Sequence, residues 1–541
     1  MASLAKGGLP PRVLALGGVL GLMVLSIAAG QPKVAELLAV GLVGYVLATL
    51  SVGILAHWSW LVYGLAGANL LIPEDNRYTL VGSNSAGFQM APYRVLITVM
   101  LVGWIAALFV DPRVRARKTQ FDGPIVLIVI ATIGSDVFNP TRVFETNSAV
   151  IKTTILFISL TAFIYVVASV VQTRETVDRM FKVLVLSGVV VAIAALIERH
   201  MHYNLFNHLH RFLPMMTFNP SAGLLNLLRN GAFRAISSAG HPIELSNDMA
   251  MLTPIAAYLG IRGSRWWWGA VLVLLLGNLA TGSRTGIIGL MVVLLVFLCM
   301  RPRETLRCWP AAIPLLVMVQ LLMPHAISGT INAFFPKGGL IAQQSETFSA
   351  HGQIQQASRL SRIGPQLRDT FVRHNEFFGY GNGTALTGRT CLNCGPFGAE
   401  QDNAQILDDQ WLGILLTTGL VGFAAWLWFF TRVIRRLGAR ARLERGTQEG
   451  WLPVTLAASL ACYAIAMYFY DALSFMQATV MMYLLVGVAA AVLWMDPVCA
   501  SGRKGGLGGR PGGNGRPSGT GRLIMPKLAG KTAGAPSGVG R

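Results

Sequence analysis

Acidic residues are scarce in this chain. Asp and Glu number 24 in 541 residues, against 44 Lys and Arg, and all charged residues together make up 13%. An ordinary soluble domain carries about twice that share, so a large water-facing body is excluded. Cysteine is also rare, at six, which excludes a small secreted scaffold held by disulfides. Cys391 and Cys394 form a Cys-x-x-Cys pair, and no second pair exists to complete a zinc site. In an oxidising compartment a local disulfide is their expected state. Cys299, Cys308, Cys462 and Cys499 read as structural. Internal repeats and a soluble catalytic domain are both missing. A cleavable signal peptide is not expected, because the first apolar run is followed at once by a second and reads as an anchor.

What is present is apolar sequence: 53% hydrophobic residues and a mean hydropathy of +0.55. Runs long enough to cross a bilayer core fall near 13–30, 34–55, 57–72, 94–110, 122–138, 150–171, 182–198, 243–260, 266–281, 285–300, 308–325, 410–431, 451–470 and 475–495. The third is short and reads equally as a re-entrant or tilted piece. The expected fold is therefore all-α, a polytopic integral membrane protein with about fourteen transmembrane helices and a long, partly helical outer loop. Residues 1–199 form N-terminal membrane helices, 200–497 a membrane core with outer loops 200–242 and 326–409, and 498–541 a disordered basic tail. A further outer loop spans roughly 73–93.

The net charge of +20 does not point to nucleic acid, because the basic residues cluster between apolar runs and in the tail. Arg113, Arg115, Arg117 and Lys118 fill one short loop, and Arg174, Arg179 and Lys182 another. Arg262 and Arg265, then Arg301, Arg303 and Arg307, and finally the run Arg432–Arg445 follow. With that span count all fall on one side, expected to be cytoplasmic together with both termini. The long loops then face the opposite, outer side of the membrane.

Arg284 carries the sharpest functional signal. It sits in TGSRTG (281–286) between two apolar runs, where a guanidinium is costly unless it faces water or an anion. Its planar fork suits phosphate oxygens. The 199–242 loop holds Arg199, Arg211, Arg229 and Arg234 and not one acid; it reads either as a cationic funnel or as ordinary loop variation. Arg234 precedes the next span closely enough to share a cavity with Arg284. His200, His202, His208 and His210 read as loop histidines or, without nearby carboxylates, as a weak metal set. His241 before Pro242 suits a turn or cap, and Glu244 one turn on is a buried acid and a candidate base. Arg359, Arg362, Arg368 and Arg373 space as on an interfacial or a plain surface helix. GYGNGT (379–384) lacks the flanking strand and helix of a phosphate loop. Asp408 and Asp409 open the next span, as helix-dipole partners or as a general base.

Four of these segments resemble the bacterial O-antigen ligase/polymerase superfamily. FRAISSAGHPIELSNDMAMLTPIA (233–256), TGSRTGIIGL (281–290), SRIGPQLRDTFVRHNEFFGYGNGT (361–384) and DDQWLGILLTTGLVG (408–422) follow in the family's order. The last is similar to a motif in which a polar pair opens a helix closed by a Gly-Leu-x-Gly turn. The family's pair is usually His-Asn; here it is Asp408-Asp409, and His374-Asn375 lies earlier and inherits no role. The resemblance implies transfer of an undecaprenyl-diphosphate-linked oligosaccharide on the outer face of the inner membrane, without metal or other cofactor. Arg284 and Arg234, seconded by Arg359 and Arg362, would hold the diphosphate, and Asp408 or Asp409 would take the proton, with Glu244 and His241 as secondary candidates. The departure favours a polymerase of exopolysaccharide, capsule or O-antigen repeat units. The alternatives are a ligase passing glycan to lipid A core or protein, a lipid-linked sugar flippase, and a non-enzymatic export scaffold. Expected partners are membrane lipids, a flippase and chain-length regulators.

Overall fold

A computed structural model describes residues 58–81, 88–110, 116–140, 147–211, 216–218, 228–229, 232–307, 310, 317–318, 320–321, 376–382 and 409–498. The apolar runs within them form helices: α1 (Trp58–Leu71), α2 (Pro92–Val110), α3 (Asp122–Phe138), α4 (Asn147–Val170), α5 (Arg174–Met201), α6 (Pro242–Arg262), α7 (Trp266–Ala280) and α8 (Arg284–Met300). The short α9 (Pro302–Arg307), the long α10 (Gln410–Leu443), α11 (Trp451–Ala466) and α12 (Met476–Trp494) complete the set. The expected spans 13–30 and 34–55, and nearly all of 308–325, lie outside the described residues. Among the described residues five helices are long and apolar enough to cross a membrane, and three apolar helices are shorter, Trp266–Ala280, Arg284–Met300 and Trp451–Ala466.

The bundle is built around α6, which packs on α5, α7, α8 and α11 and is buried from Pro242 to Gly260, save Ile243. α12 packs on α4 and α11 and is likewise almost wholly enclosed. The rim helices turn apolar side chains outward: Ile105 and Phe109 on α2, Ile130 and Val137 on α3, Ile155 on α4, Met291 and Leu295 on α8. Water does not tolerate so much contiguous apolar surface on a soluble protein, whereas lipid does.

Two helices outrun the expected spans. α5 starts at Arg174 rather than near 182, because Thr173 caps it by accepting from the Thr176 amide and its first turns carry Asp178, Arg179 and Lys182. α10 continues to Leu443 because its arginine run is helical and finds partners. Glu444, with no exposed surface, accepts from Arg174 and Arg440, while Arg301 donates to the Ala441 and Glu444 carbonyls at 3.3 Å. Buried charge survives only when paired in this way. Arg432 donates to the Gln120 carbonyl and Trp494 to that of Lys118. The basic loops thus gather at one end of the bundle, as the charge pattern requires.

The opposite end carries irregular chain and, against an all-helical expectation, a small sheet. β1 (Asn76–Val81) pairs antiparallel with both β2 (Phe88–Met90) and β3 (Met216–Phe218), and β4 (Leu228–Arg229) pairs with β5 (Ala232–Phe233). Polar loops beyond the apolar spans still have to pair their amides, and NRYTLV has the β-branched and aromatic content to do so in a ladder. The sheet ties the 73–93 loop to the 199–242 loop.

Candidate active site at the loop end of the bundle

The turn between α7 and α8 presents Arg284. Thr281 donates its hydroxyl to the Asn278 carbonyl at 2.7 Å and accepts from the Ser283 amide at 3.1 Å, and Gly282 takes φ +59° to reverse the chain. Arg284 then opens α8, half-buried. Further along this motif a Cβ on Gly286 would meet Ser246 and Asn278 at 2.7 Å or less, and one on Gly289 would meet the Cys462 sulfur at 2.7 Å. These glycines, three residues apart, let α8 lie directly against α6, α7 and α11.

A second arginine is brought to the same turn. The segment after β5 is stitched along the end of α7: the Ala235 amide donates to the Ala280 carbonyl at 3.3 Å, and Arg199 donates to the Phe233 and Ala280 carbonyls, both at 3.0 Å. Arg234 donates through Nε to the Thr281 carbonyl at 3.1 Å. Arg234 is thus fastened to the reverse turn from which Arg284 opens α8. The N-terminus of α8 faces the same place, and the Ser283 side chain does not cap it, so its amides add positive potential.

Glu198 anchors this arrangement and was not singled out in the sequence. It is buried near the end of α5 and accepts from the Ile236 amide at 3.1 Å, the Ser237 amide at 2.6 Å and Asn204 at 3.2 Å. Ser237 holds the left-handed conformation, φ +51°, and gives its hydroxyl to the Val191 carbonyl. The one available signal was an acid next to an acid-free loop.

His241 and Glu244 hold helix starts. His241 caps α6, its Nδ1 accepting from the Ile243 amide at 3.1 Å. Burial first, and Arg234 second, lower its pKa to about 4, so the ring is neutral as the cap requires. Glu244 accepts from the Gly240 amide at 3.1 Å and from the Gln477 amide at 3.0 Å and the Ala478 amide at 3.4 Å. One carboxylate therefore serves the N-termini of both α6 and α12, where helix dipoles favour it. Gln477 completes the knot by donating to the Asn69 and Leu70 carbonyls, each at 2.9 Å, and to the Ser238 hydroxyl at 3.3 Å. Asp248 lies roughly 6 Å beyond Glu244 along α6, with no exposed surface and neither carboxylate oxygen hydrogen-bonded.

In its described part, 376–382, the glycine-rich turn packs against a helix. α10 is kinked at Gly419, φ +66°, and the turn 376–382 docks into the break. The Tyr380 and Gly381 amides donate to the Leu416 and Thr417 carbonyls at 2.8 and 3.0 Å, and the Leu420 and Val421 amides donate back to Glu376 and Phe377. The Gly-Leu-x-Gly segment therefore does not close the helix, as the resemblance implied; it bends it around a peptide. Asp136, at the end of α3, fastens the same turn through the Asn382 amide and side chain, both at 2.9 Å. Asp409 caps α10, accepting from the Leu412 amide at 3.2 Å. Asp408, Arg359, Arg362, Cys391 and Cys394 lie outside the described residues. His202 ends α5 in the left-handed conformation and packs edge-on against Phe233, and His208 stacks on Tyr203.

One further group was missed. Glu74, just beyond α1, accepts from the Tyr93 hydroxyl at 3.2 Å, Tyr93 in turn accepts from Arg94 Nε at 3.0 Å, and Arg94 lies 3.6 Å from the carboxylate. Nothing in its local sequence distinguishes it from an ordinary loop acid.

Residues 269–427 match the family model described as O-antigen ligase. The matched stretch contains the Arg284 turn, the docked 376–382 turn and the kink of α10. A comparison with curated proteins finds no match.

Proposed function

We propose, from the match of residues 269–427 to the O-antigen ligase family model, that the chain polymerises undecaprenyl-diphosphate-linked repeat units at the outer face of a bacterial inner membrane. The observation that carries this reading is the placement of Arg234 and Arg284 on one reverse turn at the loop end of the bundle. An acceptor sugar hydroxyl attacks the anomeric carbon, the bond to the diphosphate breaks, and the leaving group departs with the electron pair. Guanidiniums and helix amides aimed at the diphosphate stabilise the charge that grows there. Positioning of donor and acceptor supplies much of the remainder. The basic end then faces the cytoplasm, in line with the positive-inside bias.

The test is the purified full-length protein in liposomes with lipid-linked donor as its sole sugar substrate. Lengthened lipid-linked glycan together with freed undecaprenyl diphosphate is the expected result. The ligase reading is favoured by the description of the matched family. It predicts donor consumption only when lipid A core or an acceptor protein is added. No consumption under either condition overturns both.

A further inference from the structure

Transfer to a hydroxyl releases a proton, and an acid within reach of the acceptor is the usual recipient. Among the described residues, several acids at the loop end are committed to backbone amides. Glu198 and Glu244 are buried and each accept from two or more amides, Asp136 is taken by Asn382, and Asp409 caps α10. Asp248 is sealed inside α6. Glu74 differs from all of these. Its side chain keeps 31% of its surface exposed, and the contacts described fall on one oxygen, Oε1.

Its position suits the role. Gln477 Nε2 reaches the Leu70 carbonyl at 2.9 Å and the Ser238 hydroxyl at 3.3 Å, so the end of α1 and the Arg234 segment meet at one nitrogen atom. Glu74 follows Leu70 by four residues, and Ser238 follows Arg234 by four. Glu74 lies near enough to Glu244, and Arg234 to His241, for each charge to be felt there, so the acid and the arginine both sit near the start of α6. Glu74 also stands at the root of β1, where the sheet joins the two outer loops. Its carboxylate is aimed by a relay, Arg94 donating to Tyr93 and Tyr93 to Glu74, the arrangement in which a base is oriented by its neighbours.

Resting on the glycosyl-transfer reading, we propose that Glu74 is the catalytic base, taking the proton from the acceptor hydroxyl while Tyr93 and Arg94 position it. The acceptor oxygen forms the new bond to the anomeric carbon, its proton passes to Oε2 of Glu74, and the anomeric carbon–oxygen bond to diphosphate breaks. The groups facing Glu74 are Tyr93 and Arg94 from α2, Arg77 from β1, Asp75 beside it and Glu244 from α6. Burial raises the Glu74 carboxyl above the usual carboxylate range, while Arg94, Arg77 and Tyr93 draw it down.

The full-length protein in liposomes tests this with lipid-linked donor, following chain growth against pH for wild type, Glu74→Gln, Glu74→Asp and Tyr93→Phe. Glu74→Gln should cut kcat by on the order of 100-fold or more and change donor KM by less than about threefold, because it binds no diphosphate. Glu74→Asp should restore part of the rate. Tyr93→Phe should stay active, with the acid limb of kcat moved to higher pH because the carboxylate loses a hydrogen bond that favours its charged form. If Glu74→Gln does not fold, the Tyr93→Phe profile decides: an unmoved acid limb overturns the assignment. Wild-type rates in Glu74→Gln beside a strongly slowed Arg284→Lys also overturn it and leave the glycosyl-transfer reading standing. A wild type that consumes no donor, with or without added acceptor, overturns that reading and this assignment with it.

Discussion

Replacing Gly419 with Ala should detach the 376–382 turn from α10. At φ +66° and ψ −164° the backbone lies in a region open essentially to glycine, and a Cβ there costs about 1–3 kcal/mol for conformation alone. The same Cβ would stand 2.4 Å from the Phe377 carbonyl carbon and oxygen and 2.6 Å from the Gly379 amide nitrogen. These are main-chain atoms, so no side chain can rotate away, and the turn itself has to move. Four backbone hydrogen bonds join turn and kink, at 2.8, 3.0, 2.8 and 3.2 Å, and each contributes about 0.5–1.5 kcal/mol net. Losing the conformation and most of those bonds gives a local destabilisation of roughly 3–5 kcal/mol. Gly413 supplies the control: it is regularly helical, and its added Cβ would meet only Gln410 Nε2 at 3.5 Å. Gly413→Ala should be neutral or stabilise by up to about 1 kcal/mol. Thermal unfolding in detergent with limited proteolysis around 376–382 reads both. A Gly419→Ala protein that melts with wild type and keeps the turn protected would refute the docking argument.

Arg284→Lys keeps the charge but loses the two-pronged contact, and should lower kcat/KM for lipid-linked donor by about 30–100-fold; initial rates of chain growth check it. Glu198→Ala strands the Ile236 and Ser237 amides and should cost about 2–4 kcal/mol, with activity falling as Arg234 loses its anchored loop; melting and donor turnover should drop together. His241 binds its proton less readily folded, about pH 4, than unfolded, near 6.5. Stability is therefore lost as pH falls through that window, by at most about 3 kcal/mol. His241→Asn retains a capping side chain and should flatten that part of the stability–pH curve.

The helices were legible because apolar run length is a one-dimensional signal. The stretches 122–138 and 266–281 needed almost no adjustment, and among the described residues the basic turns around Lys118, Arg174, Arg301 and Arg440 lie at one end of the bundle. Arg234 and Arg284 could be paired because both adjoin spans, so topology alone brings them near. The sheet was not legible: β1 and β3 lie far apart in sequence, and pairing between distant short strands leaves no periodic trace. Glu198 and Glu244 looked like isolated acids because their partners are backbone amides, which every sequence possesses. Gly419 was read as a stop because glycine ends helices as often as it bends them. Only the docked peptide at Phe377–Gly379 decides between the two.

The two ends of the bundle handle charge differently, and the scarcity of acid accounts for it. At the basic end Glu444 meets Arg174 and Arg440 side chain to side chain, with Arg301 on the neighbouring carbonyls, so the cluster is compensated by carboxylate. At the loop end Glu198, Glu244 and Asp409 are spent on amides of turns and helix starts, while Arg199 and Arg234 are spent on carbonyls. A carboxylate that satisfies amides stabilises backbone shape and is neutralised in effect by their dipoles, whereas a guanidinium that fastens a carbonyl keeps its full positive charge at the turn. Irregular backbone near a membrane requires such local partners. The same requirement therefore builds the turn that carries Arg234 and Arg284 and diverts the nearby acids into scaffolding, which favours an anionic group there over a cationic one.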